Sequence, residues 1–292
     1  MQNSMYEETY SSGAIHRYER PRRHRTRRIA TVVVLISIII LLLVGGLGVA
    51  VRVLNPTPVR TTTETRTFNL GAGKQPTLIV SNDAGFVHVR SGSSNTITVT
   101  TTKVGDSFGA SPDDFKLNYT QSGSTITVHV TNDSIHPFDF SQTSQADLNI
   151  TVPANSNLQL ETDSGDIAAS GIQGKLTLTS NSGSLQATAD SLTSGSQLVT
   201  DSGSITMSGS IGTTGIYAFQ AGSGDVAVTL PRSTSFHANL VSNSGSITND
   251  FPIVNPHKPG DDGRTVSGDV GSSPQATVFM HSDSGSLHLR QL

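Results

Sequence analysis

Apolar and polar residues alternate along most of the chain beyond about residue 65. In 77–80, 86–89, 125–130 and 147–152, every second residue is Val, Ile or Leu. Short runs of strict alternation are typical of β-strands that bury one face. No helical periodicity accompanies them in this region. The pattern therefore predicts an all-β fold for this part of the chain, which we call the ectodomain because of the apolar run described below.

A six-residue phrase recurs in this region. It reads Thr-Asp-Ser-Gly-Asp-Ile at 162–167 and Thr-Asp-Ser-Gly-Ser-Ile at 200–205, with a degenerate copy at 81–87. Its glycines are Gly85, Gly165, Gly183, Gly203, Gly224, Gly245 and Gly285. A period of about 20 residues with β-type residues between turns predicts a β-solenoid, a β-helix-like coil of stacked strands. We expect an irregular first half, 65–152, and regular repeats over 153–292.

The residue types of the phrase suit a tight turn. Glycine adopts a positive φ without steric cost, and Asp or Asn two residues earlier can close an Asx turn. If the rungs stack in chain order, this acidic position reads Asp163, Asn181, Asp201, Gly222, Asn243 and Asp283. Carboxylates on neighbouring rungs, about 4.8 Å apart, would repel by about 3.5 kcal/mol at an effective dielectric constant of about 20. Alternation with neutral residues avoids that cost, so we interpret the ladder as structural.

An unbroken apolar run covers 29–51. It is long enough to cross a hydrocarbon core of about 30 Å as a helix, and too long for the apolar part of a cleavable signal peptide. We therefore predict a transmembrane helix in contact with membrane lipid. Its N-terminal flank is rich in arginine: Arg22, Arg23, Arg25, Arg27 and Arg28. The positive-inside rule then predicts a single-pass protein of the cytoplasmic membrane, with a basic cytoplasmic tail, 1–28, and the C-terminal domain outside.

A short segment, 52–64, joins this helix to the ectodomain, 65–292. Its prolines and threonines predict an extended stalk.

Composition narrows the chemistry that the chain can support. Of its 19 basic and 22 acidic residues, seven Arg and three Glu lie in the first 28, which leaves 12 basic and 19 acidic residues from Arg52 onward. The chain has no cysteine, which excludes disulfides, thiol catalysis and cysteine-based metal sites. Topology and anionic lipid explain the arginines of the tail. We therefore expect no nucleic acid and no cofactor as a partner.

Three motifs for catalysis or metal binding are weak here. Residues 105–109, Gly-Asp-Ser-Phe-Gly, match a nucleophile elbow, but no helical pattern follows them. Asp163 and Asp201, two rungs or about 9.6 Å apart, could form the carboxylate pair of an inverting glycosidase, but no stacked basic or aromatic residues accompany them. The Gly-Gly-x-Gly-x-Asp repeat of calcium-binding solenoids is absent. We predict no catalytic, cofactor-binding or metal-binding residues.

The segment 251–274 interrupts the repeat and is rich in Pro, Gly and charge. Long loops on rigid scaffolds are often functional. We interpret it first as a tolerated insertion and second as a recognition loop.

The run 152–160, Val-Pro-Ala-Asn-Ser-Asn-Leu-Gln-Leu, is followed by the phrase at 162–167 and by Gly-Lys-Leu-Thr-Leu-Thr-Ser-Asn-Ser-Gly at 174–183. This sequence resembles the bacterial putative-adhesin family of β-helical envelope proteins, whose function is largely unknown. The resemblance covers most of 65–292. It implies a β-helix at the cell surface, and it brings no established catalytic residues.

Together these patterns predict a membrane-anchored, surface-exposed β-solenoid that acts as a non-enzymatic adhesin or envelope-binding module. Its expected ligand is a glycan, a cell-wall polymer or a protein. The first alternative is a sensory or regulatory membrane protein that signals through its N-terminal tail. The second is a carbohydrate-active β-helix enzyme.

Overall fold

The computed structural model describes residues 59–71, 75–92, 95–105, 111–133, 144–257 and 265–292. The predicted cytoplasmic tail, the transmembrane helix and most of the stalk lie outside these residues. Within the described residues, no helix is both long and apolar enough to cross a membrane.

The described residues are almost entirely β-structure, which confirms the all-β prediction. The strands are β1 (Thr61–Asn69), β2 (Thr77–Ala84), β3 (Val87–Gly92), β4 (Thr96–Val104), β5 (Phe115–Ser122), β6 (Thr125–Asn132), β7 (Gln145–Pro153), β8 (Asn157–Ser164), β9 (Ile167–Ser170), β10 (Gln173–Gly174), β11 (Leu176–Ser182), β12 (Leu185–Leu192), β13 (Gln197–Ser202), β14 (Ile205–Ile211), β15 (Thr214–Ser223), β16 (Val226–Leu230), β17 (Phe236–Ser242), β18 (Ile247–Asn249), β19 (Ile253–His257), β20 (Thr265–Val270), β21 (Gln275–Ser284) and β22 (Leu287–Gln291). A single-turn 3-10 helix covers Pro112–Asp114.

The strands form two sheets, which we call sheet A and sheet B. Sheet A has the order β1-β4-β7-β3-β9-β12-β14-β16-β22-β18, with β10 beside β12. Sheet B has the order β19-β20-β17-β21-β15-β13-β11-β8-β2-β6-β5. From β7 to β18 and from β6 to β17, the pairing is parallel. Each rung therefore has one strand in each sheet, as in a β-solenoid, and the recurrent turn joins the two strands of every rung except β6–β7.

The last repeat does not stack where chain order would place it. The rung β21–β22 lies between β15–β16 and β17–β18, so Met280 pairs with Phe219 on one side and with Leu240 on the other. The expectation of chain-order stacking is therefore wrong for the final repeats. The chain instead leaves the stack after β18, forms the β19–β20 hairpin, and re-enters it one rung earlier.

Antiparallel strands extend both sheets at the first end of the stack and sheet B at the second end. At the first end, β1 and β4 extend sheet A beyond β7, and β5 pairs with β6 in sheet B. There the rings of Phe68 and Tyr119 are 5.9 Å apart, and the Arg66 guanidinium lies 4.4 Å from the Tyr119 ring centroid. At the second end, β20 and β19 extend sheet B beyond β17, and Phe251 packs edge-on against Phe236 at 5.2 Å. Such caps protect the parallel stack from edge-to-edge association.

The core lies between the two sheets and consists of inward-facing rows. One row crosses sheet B, and its members are each at most 1% exposed: Val80, Leu160, Leu178, Leu198, Phe219, Met280 and Leu240. A single rung exposes its apolar residues on both sides, so only several rungs together bury the row.

Candidate functional site

The predicted turn glycines stack along one edge of the coil, which we call the turn edge. Their order in space is Gly85, Gly165, Gly183, Gly203, Gly224, Gly285 and Gly245. The amide of Gly203 donates to the Ser223 carbonyl at 2.9 Å, and the same bond recurs from rung to rung. The turn edge is thus a continuous hydrogen-bonded ladder.

Close approach, rather than backbone conformation alone, explains these glycines. A Cβ on Gly203, whose φ is +153°, would lie 2.1 Å from the Gly183 carbonyl oxygen. Gly285 has no positive φ, yet its Cβ would also lie 2.1 Å from a carbonyl oxygen, that of Gly224. The sequence argument from positive φ therefore covers only part of the ladder.

The acidic position of the turn is largely satisfied within the ladder. The Asn181 amide donates to the Asp163 carboxylate at 3.1 Å, and the Asn243 amide donates to Asp283 at 2.7 Å. Asp201 lies one rung beyond Asn181. The two carboxylates proposed for a glycosidase, Asp163 and Asp201, therefore have an amide between them that already binds Asp163.

A second, buried ladder of hydroxyls was missed in the sequence. In four of the phrases the first residue is a buried Ser or Thr whose hydroxyl donates to the carbonyl of the glycine on the neighbouring rung, whereas the equally buried Thr162 hydroxyl has no partner. The pairs are Ser180 to Gly165 (3.1 Å), Thr200 to Gly183 (2.8 Å), Ser282 to Gly224 (2.9 Å) and Ser242 to Gly285 (2.8 Å). The signal for it was the Thr or Ser that stands three residues before every turn glycine except Gly85 and Gly224.

Ala221 interrupts this hydroxyl ladder, because it is buried at the position that faces the Gly203 carbonyl. Ala221→Ser should supply the missing donor and raise the free energy of unfolding by about 1 kcal/mol. Urea unfolding followed by circular dichroism measures the change. Ala227→Ser, on the outward-facing side of β16, is the matched control and should have almost no effect. A loss of stability in Ala221→Ser would contradict the ladder.

A groove of about 620 Å³ lies on the outer face of sheet A. Its floor is β9, whose outward residues Ala168 and Ser170 are small. The neighbouring strands carry longer side chains in register: His88 pairs with Ala168, and Arg90 with Ser170. On the far side Gln186 pairs with Ala168. Short side chains between long ones produce the groove.

Polar donors and acceptors line the rest of the groove. They come from β4 and β7 and are Thr98, Thr100, Asn149 and Thr151. The Arg90 Nε lies 3.4 Å from the Thr151 hydroxyl, which accepts its hydrogen bond. Beside the groove, Phe86 is 39% exposed, and its ring stacks on His88 with a centroid distance of 5.9 Å. An exposed aromatic ring beside amides, hydroxyls and a guanidinium can bind a polar ligand such as a sugar.

The lining of this groove does not resemble a hydrolytic site. It contains no carboxylate, so it offers no carboxylate pair for glycoside cleavage. Within the described residues, no group of three or more His, Asp or Glu is placed to hold a metal ion.

An outward-facing row on sheet B carries His237, Asp269 and Ser267. His237 Nδ1 lies 2.7 Å from the Asp269 carboxylate, and Ser267 Oγ lies 3.4 Å from His237 Nε2. The order resembles an acid–base–nucleophile relay, but both strands are paired within the sheet and the three residues are outside the groove. The His237 and Asp269 side chains are nearly half exposed, as expected of a cross-strand surface pair.

The described parts of 251–274 form a structural cap. Phe251 is 3% exposed against Phe236, and Val270 is 3% exposed where β20 pairs with Phe236. The residues 258–264, which carry much of the charge of the predicted recognition loop, lie outside the described residues, as does most of the 105–109 motif.

Comparison with known proteins identifies a family. Residues 61–216 and 192–290 each match the family model described as Toastrack DUF4097, and together these matches span more than three quarters of the chain. No curated protein is significantly similar in sequence.

Several solved structures are similar in outline. A putative cell adhesion protein of Clostridium sporogenes ATCC 15579 has 10% identity and a TM-score of 0.49, and covers 80% of this chain and 100% of its own. A putative adhesin of Bacteroides fragilis NCTC 9343 has 11% identity, a TM-score of 0.27, and coverages of 81% and 99%. One of Parabacteroides merdae ATCC 43184 has 12% identity, a TM-score of 0.28, and coverages of 79% and 92%. The family model confirms the predicted family resemblance, whereas these structures, all with TM-scores below 0.5, carry no argument about fold or ligand.

Proposed function

The chain belongs to the Toastrack DUF4097 family, and on that premise we propose that it is a membrane-anchored, surface-exposed β-solenoid that binds an envelope polymer without cleaving it. The polymer, a glycan or a related cell-wall chain, occupies the groove on the outer face of sheet A. In this proposal residues 29–51 anchor the protein in lipid, and the arginines at 22–28 keep the N-terminus in the cytoplasm.

The groove is the observation that carries the proposal. It is open on a rigid sheet, and its outward side chains are donors and acceptors held in register by the strands. Pre-organised side chains lose little conformational entropy on binding, so even an open groove can bind a polymer that makes several weak contacts. The absence of carboxylates from its lining favours binding over hydrolysis.

Asn149→Ala tests the groove directly. Asn149 lies on β7 next to His88 and offers both a donor and an acceptor to a sugar hydroxyl. Loss of these bonds should weaken binding about 10-fold. The measurement is isothermal titration of the full chain in detergent, with a ligand chosen by screening envelope glycans and following each for cleavage.

Asn239→Ala is the matched control, because Asn239 faces outward on the opposite sheet, opposite Ser267. It should bind like the unmodified protein. Equal affinities for Asn149→Ala and the unmodified protein would remove the groove from the proposal. Cleavage of a bound glycan would overturn the non-enzymatic assignment.

A further inference from the structure

The outer face of sheet A carries a pair of matching cationic positions. The sequence His-x-Arg occurs on β3 as His88 and Arg90, and on β22 as His288 and Arg290. Strand register places both arginines in one row across the sheet. Between them lie Ser170, Thr188, Ser208 and Thr229, each paired with the next. Five strand steps separate the two arginines, or about 24 Å.

Strand register places Asp250, directly after β18, next to Arg290, and the Arg90 guanidinium donates to the Thr151 hydroxyl. Arg90 and Arg290 are exposed, and within the described residues neither forms an ion pair with a carboxylate. The row between them contains only hydroxyls, and the parallel row from His88 to His288 contains Ala168, Gln186, Thr206 and Ala227. Two exposed guanidinium groups are therefore joined by a neutral strip that can form hydrogen bonds.

Most of the outward-facing carboxylates lie away from the arginine row. On the side of sheet A, Asp147, Asp166 and Asp225 lie near the turn edge, where each accepts a hydrogen bond from a backbone amide. Asp163, Asp201 and Asp283 follow the turn edge on the side of sheet B, and Glu161 and Asp269 face outward on sheet B. An anionic chain would be attracted along the arginine row of sheet A rather than along these edges. This distribution of charge favours one direction for an extended anionic ligand.

We propose that this face binds a linear acidic polysaccharide, which lies across the strands with its carboxylates on Arg90 and Arg290. This inference rests on the proposed function and specifies its ligand. The planar guanidinium binds a carboxylate in a bidentate manner, and the serine and threonine hydroxyls between the arginines match sugar hydroxyls. Nucleic acid fits less well, because the row lacks the aromatic rings on which bases stack.

The distance between the arginines sets the length of the ligand. An oligosaccharide much shorter than about 24 Å reaches one arginine only, whereas a longer chain engages both. We therefore expect affinity to rise steeply with chain length for the unmodified protein. The rise should disappear when either arginine is replaced, because each variant retains one anchoring point.

Titration of the full chain in detergent with polygalacturonate fragments of increasing length tests the proposal. Arg90→Gln and Arg290→Gln should each weaken binding of the long fragments about 10-fold. Lys175→Gln removes one positive charge at the bend between β10 and β11, away from the row, and should have little effect. Circular dichroism confirms that each variant is folded. Binding should also weaken with added salt.

Three other results would overturn the assignment. Equal binding of neutral dextran, weakened by Asn149→Ala but not by the arginine variants, would leave the groove in place and exclude an anionic ligand. Equal affinity for polyphosphate would mean that charge alone suffices without a saccharide. Failure of every glycan to bind would reject both this inference and the proposed function.

Discussion

Replacing Gly203 with alanine is expected to lower the free energy of unfolding by about 3 kcal/mol or more. Its φ of +153° is unfavourable for alanine, and the new Cβ would lie 2.1 Å from the Gly183 carbonyl oxygen. Gly183 cannot move away cheaply, since its amide donates to Ser202 and its carbonyl accepts from Thr200. Strain and crowding therefore add at one residue.

Other glycines separate these two causes. In Gly285→Ala the new Cβ would lie 2.1 Å from the Gly224 carbonyl oxygen, but the backbone has no positive φ there. Crowding alone should therefore lower the free energy of unfolding by about 1–3 kcal/mol. Gly123 has a φ of +62° and open space around it, so alanine there should cost only the conformational strain of about 1–2 kcal/mol. Gly71→Ala has neither cause and should stay within about 0.5 kcal/mol of the unmodified protein.

Urea unfolding followed by circular dichroism ranks the four variants. A Gly203→Ala protein as stable as Gly71→Ala would mean that the rungs can separate at the turn edge. The glycine ladder would then not set their spacing.

The second large effect concerns pH and Asp190. This residue lies at a bulge of β12, where Ala189 has a φ of +55° and the register shifts. Its side chain is 2% exposed; one oxygen accepts from the Ile172 amide at 2.6 Å, and the other, Oδ2, has no partner. Burial raises the pKa of Asp190 from 3.8 to about 6, against the lowering effect of the backbone amides that it accepts from.

The free energy of unfolding should therefore fall as pH rises, which is the reverse of the effect that most carboxylates have. The folded state holds the proton up to a higher pH than the unfolded chain does. The contribution of the protonated Asp190 side chain to the free energy of unfolding is fully present below pH 3.8. It is lost as pH rises through about 6, and this loss amounts to about 3 kcal/mol.

Asp190→Asn removes this dependence, because the amide keeps an oxygen for Ile172 and does not titrate. The measurement is the free energy of unfolding at several pH values between 4 and 7.5, expressed as the difference between variant and unmodified protein. That difference should shift in favour of the variant by about 2 kcal/mol between pH 4 and pH 7.5, because a part of the full effect is already lost at pH 4. Asp201→Asn makes the same change at an exposed position and supplies the baseline. Parallel profiles for Asp190→Asn and the unmodified protein would refute the assignment.

The strands and the turn stack were predictable because both depend on local sequence. Alternation places Leu158 and Leu160 inside and Gln159 outside, whatever the neighbouring strands are. The recurrent phrase likewise contains its own turn chemistry. The Ser or Thr at its first position also encodes the buried hydroxyl ladder, although alternation and turn chemistry alone do not predict the hydrogen bonds that it forms.

The groove and the order of the final rungs depend on partners far apart in the chain. Arg90 meets Ser170 and Thr151, at separations of 80 and 61 residues, and nothing near Arg90 indicates either one. The gap of 40 residues before Gly285 is equally compatible with stacking at the end or inside the coil. Asp190 reads as an ordinary surface acid until the bulge that turns it inward is seen.

The internal position of β21–β22 affects how the protein can be made. In a coil stacked in chain order, each new segment would add to a finished surface as it leaves the ribosome or the membrane. Here the surface of β15–β16 stays open, and β17–β18 lacks its parallel neighbour, until residues 275–292 arrive. The stack therefore cannot close before β21–β22 is made, and a chain that stops before residue 275 lacks an interior rung.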